Sequence, residues 1–234
     1  MSRFERTVLC TAALALCLVA LPLVSKGQEV TVGPEGQSAK TTPGTSTPSP
    51  SVQHPNFLIP EGTATIYSNF GPGYSYDCCF GWTEDGVDNT WGAYWIQPFA
   101  FTPTQGTYLL TQIDLAISWH AGSNGYKLEL RDDWEGQPDP APPPMGSWKV
   151  SDLPTFGFSG DSIETIQVHQ LIVLQKGHRY WLVPITNSDE TAFWNANDVS
   201  VSGKGAYSRD GGFIWTPETY FVSGAFDVLG KKLF

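Results

Sequence analysis

Two stretches decide how this chain folds: Ile113-Asp-Leu-Ala-Ile-Ser-Trp119 and, after a gap of six residues, Tyr126-Lys-Leu-Glu-Leu-Arg131. In the first, every odd position is large and apolar, while the even ones are Asp114, Ala116 and Ser118. The second sets Tyr126, Leu128 and Leu130 against Lys127, Glu129 and Arg131. Successive side chains of a strand point to opposite faces, so each stretch buries one face and wets the other, the habit of antiparallel sheets. The intervening His120-Ala-Gly-Ser-Asn-Gly125 is built of turn formers and includes an Asn-Gly pair, which predicts that the two strands close a hairpin.

The same logic extends outward. Residues 64–70, 94–101, 163–168, 180–185, 191–194, 212–215 and 220–228 also read as strands, and Leu171-Ile-Val-Leu-Gln-Lys-Gly177 is an apolar run that ends in a turn. Proline and glycine punctuate nearly every gap, and no window of 11 residues carries a helical stripe. The expected fold is all-β, an antiparallel two-sheet sandwich of jelly-roll-like character over residues 54–234. A domain of that size buries roughly 70 % of its unfolded surface.

Charged residues make up 15 % of the chain, against roughly 25 % in ordinary soluble domains. Glycine (24), proline (18), tryptophan (9) and tyrosine (9) take their place, a mixture that disfavours coiled coils and helical bundles. The formal charge is −10, from 13 basic and 23 acidic residues. Such a surface repels phosphate backbones and anionic lipid, which argues against nucleic acid as a partner.

Residues 1–27 read as a cleavable signal peptide. Arg3 and Arg6 form a positive start, residues 8–21 are apolar except for Thr11, and Pro22 and Ser25-Lys-Gly27 supply a breaker and a cleavage site. The apolar stretch is shorter than the roughly 20 residues of a spanning helix, so no permanent membrane span is expected in the processed chain. Its loss, with Arg3, Arg6, Lys26 and Glu5, leaves 10 basic and 22 acidic residues. Residues 28–53 include Ser38-Ala-Lys-Thr-Thr-Pro-Gly-Thr-Ser-Thr-Pro-Ser-Pro-Ser51, which has no large apolar group to offset chain entropy and reads as a disordered linker. Secretion, or display at the cell surface, is the expected location.

The succession Tyr67-Ser-Asn-Phe-Gly-Pro-Gly, Gln97-Pro-Phe-Ala-Phe-Thr-Pro-Thr, Leu110-Thr-Gln-Ile-Asp-Leu-Ala-Ile-Ser, Leu174-Gln-Lys-Gly-His-Arg-Tyr-Trp-Leu-Val and Trp194-Asn-Ala-Asn resembles the exported bacterial choice-of-anchor domains, of the type R kind. The likeness runs from about Ile66 to Phe226. It implies export and a β-sandwich without established enzymatic activity. Family members carry sorting tails, whereas this chain ends Gly230-Lys-Lys-Leu-Phe234, so the likeness does not extend to covalent anchoring.

Chemistry has few places to reside. Cys78 and Cys79 are adjacent, and an oxidising compartment favours a vicinal disulfide between them, a rigid turn beside Tyr74, Tyr76, Phe80 and Trp82 that suits a sugar ring. Indole rings stack on sugar faces. Trp119, Trp181 and Trp194 lie in apolar strands and read as core, but Trp134 stands in Asp132-Asp-Trp-Glu-Gly-Gln-Pro-Asp-Pro140 among carboxylates and turn residues. That makes Trp134 the leading ligand-binding candidate, with Trp91 and Trp95 beside a second acidic turn next. Asp132, Asp133 and Asp139 offer hard oxygen ligands for a structural calcium, as does Glu84-Asp-Gly-Val-Asp-Asn89, though neither loop has EF-hand spacing. No Gly-x-Ser-x-Gly elbow, phosphate loop or dinucleotide fingerprint is present.

The reading that follows is an exported, non-catalytic binding or adhesion module, with polysaccharide or another cell-surface component as target. The alternatives are a self-associating structural or matrix component and a glycan hydrolase using two of the acidic residues.

Overall fold

The computed structural model describes residues 62–88, 94–157, 163–220 and 222–234. The signal peptide (1–27) and the linker (28–53) expected from the sequence lie outside these residues, as does Trp91. Every regular element among the described residues is a strand. In chain order they are β1 (Thr63–Ser68), β2 (Asp77–Asp85), β3 (Phe99–Phe101), β4 (Tyr108–Ala121), β5 (Gly125–Trp134), β6 (Gln137–Pro138), β7 (Gly146–Ser151), β8 (Ile163–Gln167), β9 (Val173–Leu174), β10 (Tyr180–Thr186), β11 (Thr191–Ala196), β12 (Gly203–Tyr207), β13 (Thr216–Tyr220) and β14 (Phe226–Lys232). No helix among the described residues is long and apolar enough to cross a membrane.

The strands form two antiparallel sheets, the two-sheet sandwich expected from the alternation. One runs β1-β14-β4-β11-β2, with β8 and β9 also paired to β4; the other runs β13-β12-β3-β10-β5-β6, with β7 on β5. The 14-residue β4 is the spine of the first sheet, pairing β14 over Tyr108 to Leu115 and β11 over Ile117 to Ala121. β14, last in the chain, therefore lies inside the sheet between β1 and β4.

Between the sheets, Ile113, Leu115 and Ile117 of β4 and Phe226 and Val228 of β14 join Leu128, Leu130, Leu182 and Phe99 in one buried cluster. Trp194 is fully buried there, edge-on to Phe99 at 5.0 Å between ring centroids. Its indole N–H donates to the Ala225 carbonyl at 3.0 Å. Gly224 permits the close approach, since a Cβ at that position would lie 2.6 Å from the indole.

The hairpin expected between residues 113–119 and 126–131 does not form. β4 and β5 lie in different sheets, and their apolar faces meet across the core rather than side by side. Alternation picks out the side of each strand that meets the main core, but it does not name the neighbour, and the expected wet face is not wet: Asp114, Ala116 and Ser118 of β4 and Glu129 of β5 are buried as well. The connection is an arch. Gly122 adopts a left-handed φ of 74°. Asn124 exchanges two hydrogen bonds with the Leu153 backbone, at 2.9 and 2.7 Å, instead of closing a tight turn.

Two further expectations change. Residues 220–228 divide between β13 and β14, and 212–215 are a braced turn rather than a strand. Asp210 Oδ1 accepts the N–H groups of Phe213 (3.1 Å) and Ile214 (3.0 Å), leaving those two side chains 82 % and 71 % exposed. Trp215 at the end of this turn joins Trp181, Ile96, Ala100, Val183 and Ala206 in a second apolar cluster. Trp181 is thus buried as expected, but outside the main cluster.

Candidate functional site

Proline shapes an opening beside β3. Pro98 and Pro103 flank Phe99–Phe101, and a proline has no N–H to continue a ladder, so β3 is three residues long. It shares a single register pair with β12, Gly205 with Phe99. Beside the stretch where this pairing has ended, a cleft of about 340 Å³ is lined by Ala100, Phe101, Thr102 and Thr104 on one side and by Ser202, Gly203 and Lys204 on the other. Ile66 and Tyr67 of β1 line it from the other sheet, and Arg179 completes it. The Tyr67 ring stacks on Phe226 at 4.7 Å, which fixes an aromatic surface in the cleft.

Arg179 ties this cleft to the strongest candidate of the sequence. Its guanidinium donates to Asp133 Oδ1 at 3.3 Å, and the same oxygen accepts the Trp181 indole N–H at 2.8 Å. Asp133 directly precedes Trp134, which ends β5 and pairs with Gln137 of β6 across a two-residue turn. Glu135 and Gly136 in that turn have φ of 52° and 89°, the both-positive pattern of a type I′ hairpin. Trp134 is 53 % exposed. The sequence placed it in a loop; the structure places it at a strand end, on a hairpin whose Asp133 contacts the cleft residue Arg179, while Trp134 itself is not among the residues that line the cleft.

Trp95 is placed differently. It is 7 % exposed, and the Arg209 guanidinium sits 4.1 Å from its ring centroid, so it offers no open face. Its apolar bulk and the stacked cation explain its burial better than a solvent-facing role. Trp119 is half-buried at the end of β4, with its indole N–H donated to the Gly122 carbonyl at 3.1 Å.

The structure engages Asp132, Asp133 and Asp139, the residues offered for calcium, in separate contacts. Asp132 pairs with the His178 ring, Asp133 is engaged as above, and Asp139 Oδ1 accepts the Ala141 N–H at 3.0 Å. Asp132 and Asp133 brace the hairpin against residues 178–181, while Asp139 shapes the segment that follows it. Among the described residues no group of three or more His, Cys, Asp or Glu gathers as a metal site. Glu84 and Asp85 of the second acidic stretch are buried in β2, with Glu84 Oε2 accepting the Gln97 N–H at 2.9 Å and Asp85 Oδ1 the Thr191 hydroxyl at 2.7 Å.

Cys78 and Cys79 are not joined in the structure; their sulfurs are in contact as thiols, 2.7 Å apart. Asn195 pairs with Gly81 and Ala196 with Asp77, so the two cysteines and Phe80 are looped out of the ladder. Burial, and then the hydrogen bond to Cys79, push the Cys78 thiol up to about 12. Oxidised glutathione is expected to close the pair: two thiols give up two protons and two electrons to the glutathione disulfide, which leaves as two thiols. Intact mass should fall by about 2 Da, without bound glutathione or a linked second chain. Either of those products would count against closure.

Sequence reasoning missed one constellation. Asp114 and Asp227 stand opposite each other on β4 and β14, both buried. Asp114 accepts from Thr165 Oγ1 at 2.7 Å and from Gln112 Nε2 at 2.9 and 3.0 Å. Asp227 is hydrogen-bonded to Ser68, while its Oδ1 has no hydrogen-bond partner. Burial, and secondarily the neighbouring Asp114, push its carboxyl up to about 7. Neither aspartate lines the cleft.

Compared with protein-family models, curated proteins and solved structures, the chain matches none of them.

Proposed function

We propose that this chain is an exported, non-catalytic carbohydrate-binding module, of the choice-of-anchor kind that its motifs resemble, and that it engages its ligand across the cleft and the Trp134 hairpin, which the Asp133–Arg179 contact joins. The observation that carries this reading is the half-exposed Trp134 indole, held on a rigid hairpin whose Asp133 also binds the cleft residue Arg179. An exposed indole carried on a defined turn offers a flat apolar face to a sugar ring. The cleft volume of about 340 Å³ falls at the small end of ligand pockets, the scale of one or two sugar rings rather than a large cofactor. A hydrolase would need paired carboxylates open to substrate, and Asp114 with Asp227 are buried and do not line the cleft.

Glycan-array binding followed by titration of the best glycan tests the proposal. Trp134→Ala is expected to weaken binding about tenfold or more, the loss typical of an aromatic anchor. Equal binding by the variant would remove the site assignment. A concentration-dependent dimer abolished by Phe213→Ser, with no glycan bound at all, would favour the self-associating alternative, because Phe213 and Ile214 are the bulky apolar pair most openly presented by a braced turn.

A further inference from the structure

Resting on that reading, we infer that the cleft selects an anionic sugar, one bearing a carboxylate or a sulfate, through Arg179 and Lys204. The chain has 23 acidic residues against 13 basic ones. Yet the ten residues lining this cleft include two cations and no carboxylate. A concave surface of that sign on an otherwise acidic molecule concentrates field lines at one place.

Three other cations of the described residues are committed elsewhere. Lys127 and Arg131 both bind Glu129, at 2.6 and 2.7 Å, and Arg209 lies over Trp95. The two in the cleft are held more lightly. Lys204 Nζ donates to the neutral Thr219 hydroxyl at 3.0 Å. Arg179 meets Asp133 at the long distance of 3.3 Å, and a guanidinium carries five N–H donors, so this contact orients it without consuming it. An oxyanion gains charge-assisted hydrogen bonds from both groups. A neutral sugar in the same place covers Lys204 without giving it an ionic partner and adds none to Arg179 beyond Asp133, and that difference is the basis of discrimination. Thr102, Thr104 and Ser202 add hydroxyls suited to ring substituents, and the Tyr67 ring supplies an apolar face.

Calorimetric titration of the full chain with trigalacturonate, a chondroitin sulfate oligosaccharide and neutral maltotriose tests this. One or both anionic glycans should bind at least about tenfold tighter than the neutral one, and the advantage should shrink as salt is raised. The uronate and sulfate arms separate the two sources of charge. Arg179→Gln and Lys204→Gln should each erase most of the preference, while Lys149→Gln on β7 should leave it intact. If neutral and anionic glycans bind alike and the two cleft variants change nothing, the inference falls while the binding reading stands. If an anionic preference survives both cleft variants, or an oligonucleotide of matched charge competes equally well, the inference also falls. If no glycan binds, the proposed function fails, and this inference with it.

Discussion

Trp194→Ala should destabilise the domain by about 3–5 kcal/mol, the usual cost of deleting a fully buried aromatic. The side chain has no exposed surface, packs on Phe99 and Phe226, and spends its indole N–H on the Ala225 carbonyl. Truncation therefore opens a cavity and removes one of the two hydrogen bonds that the Ala225 carbonyl accepts, the Ala116 N–H at 3.0 Å being the other. For a domain of this length each kcal/mol lowers the melting temperature by roughly 2–4 °C, so a drop on the order of 10 °C is expected. Small domains have only about 5–15 kcal/mol in total, which makes partial unfolding near 37 °C an accompanying result. Urea denaturation of the variant beside the parent measures the loss directly. A change below about 1 kcal/mol would mean that the indole is not in the core.

The second large effect concerns acidity. Burial is the main cause that raises Asp227 to about 7 and Asp85 and Glu190 to about 6, and it lifts Glu84 in the same direction. In the unfolded chain these groups titrate near 4. Between that value and about 7 the folded state holds more protons than the unfolded one, so stability declines as pH rises through the window. Glu129, set between Lys127 and Arg131, shifts the other way despite its burial, and its contribution is lost only in stronger acid. The melting temperature should therefore climb as pH falls from 8 to about 5, then drop below about pH 4. Asp227→Asn, which cannot ionise, should raise the melting temperature at pH 8 and flatten the part of the profile above pH 5. A parent protein most stable at pH 8, with the variant unchanged there, would contradict the argument.

The alternation in residues 113–119 and 126–131 is enough to tell which side of each strand faces the core, and with it the class of fold. It does not tell which strands pair, because β4 and β5 satisfy their apolar faces equally well from opposite sheets. β2 escapes notice for a related reason: Glu84 and Asp85 look like an exposed acidic turn, yet hydrogen bonds from Gln97 and Thr191 allow both to be buried. Residues 212–215 err the other way. Their apolar side chains resemble a strand, but the Asp210 carboxylate captures the local N–H groups and makes a turn.

The exposure of Trp134 is legible because its sequence neighbours are polar. The burial of Trp95 is not, because the residue that covers it, Arg209, is more than a hundred positions away. The cleft is invisible for the same reason. Its residues come from four separate segments, and its existence depends on two strands failing to stay paired.

The position of β14 has a consequence for biogenesis. The strand at the end of the chain sits within a sheet, so β1 and β4 have no partner between them until residues 226–232 have left the ribosome. Strand contacts this distant in sequence also form slowly, on a scale of about milliseconds to seconds. A chain cut before Phe226 should therefore leave β1 and β4 with bare facing edges, and this sheet closes only once a segment far along the sequence has slotted into its middle.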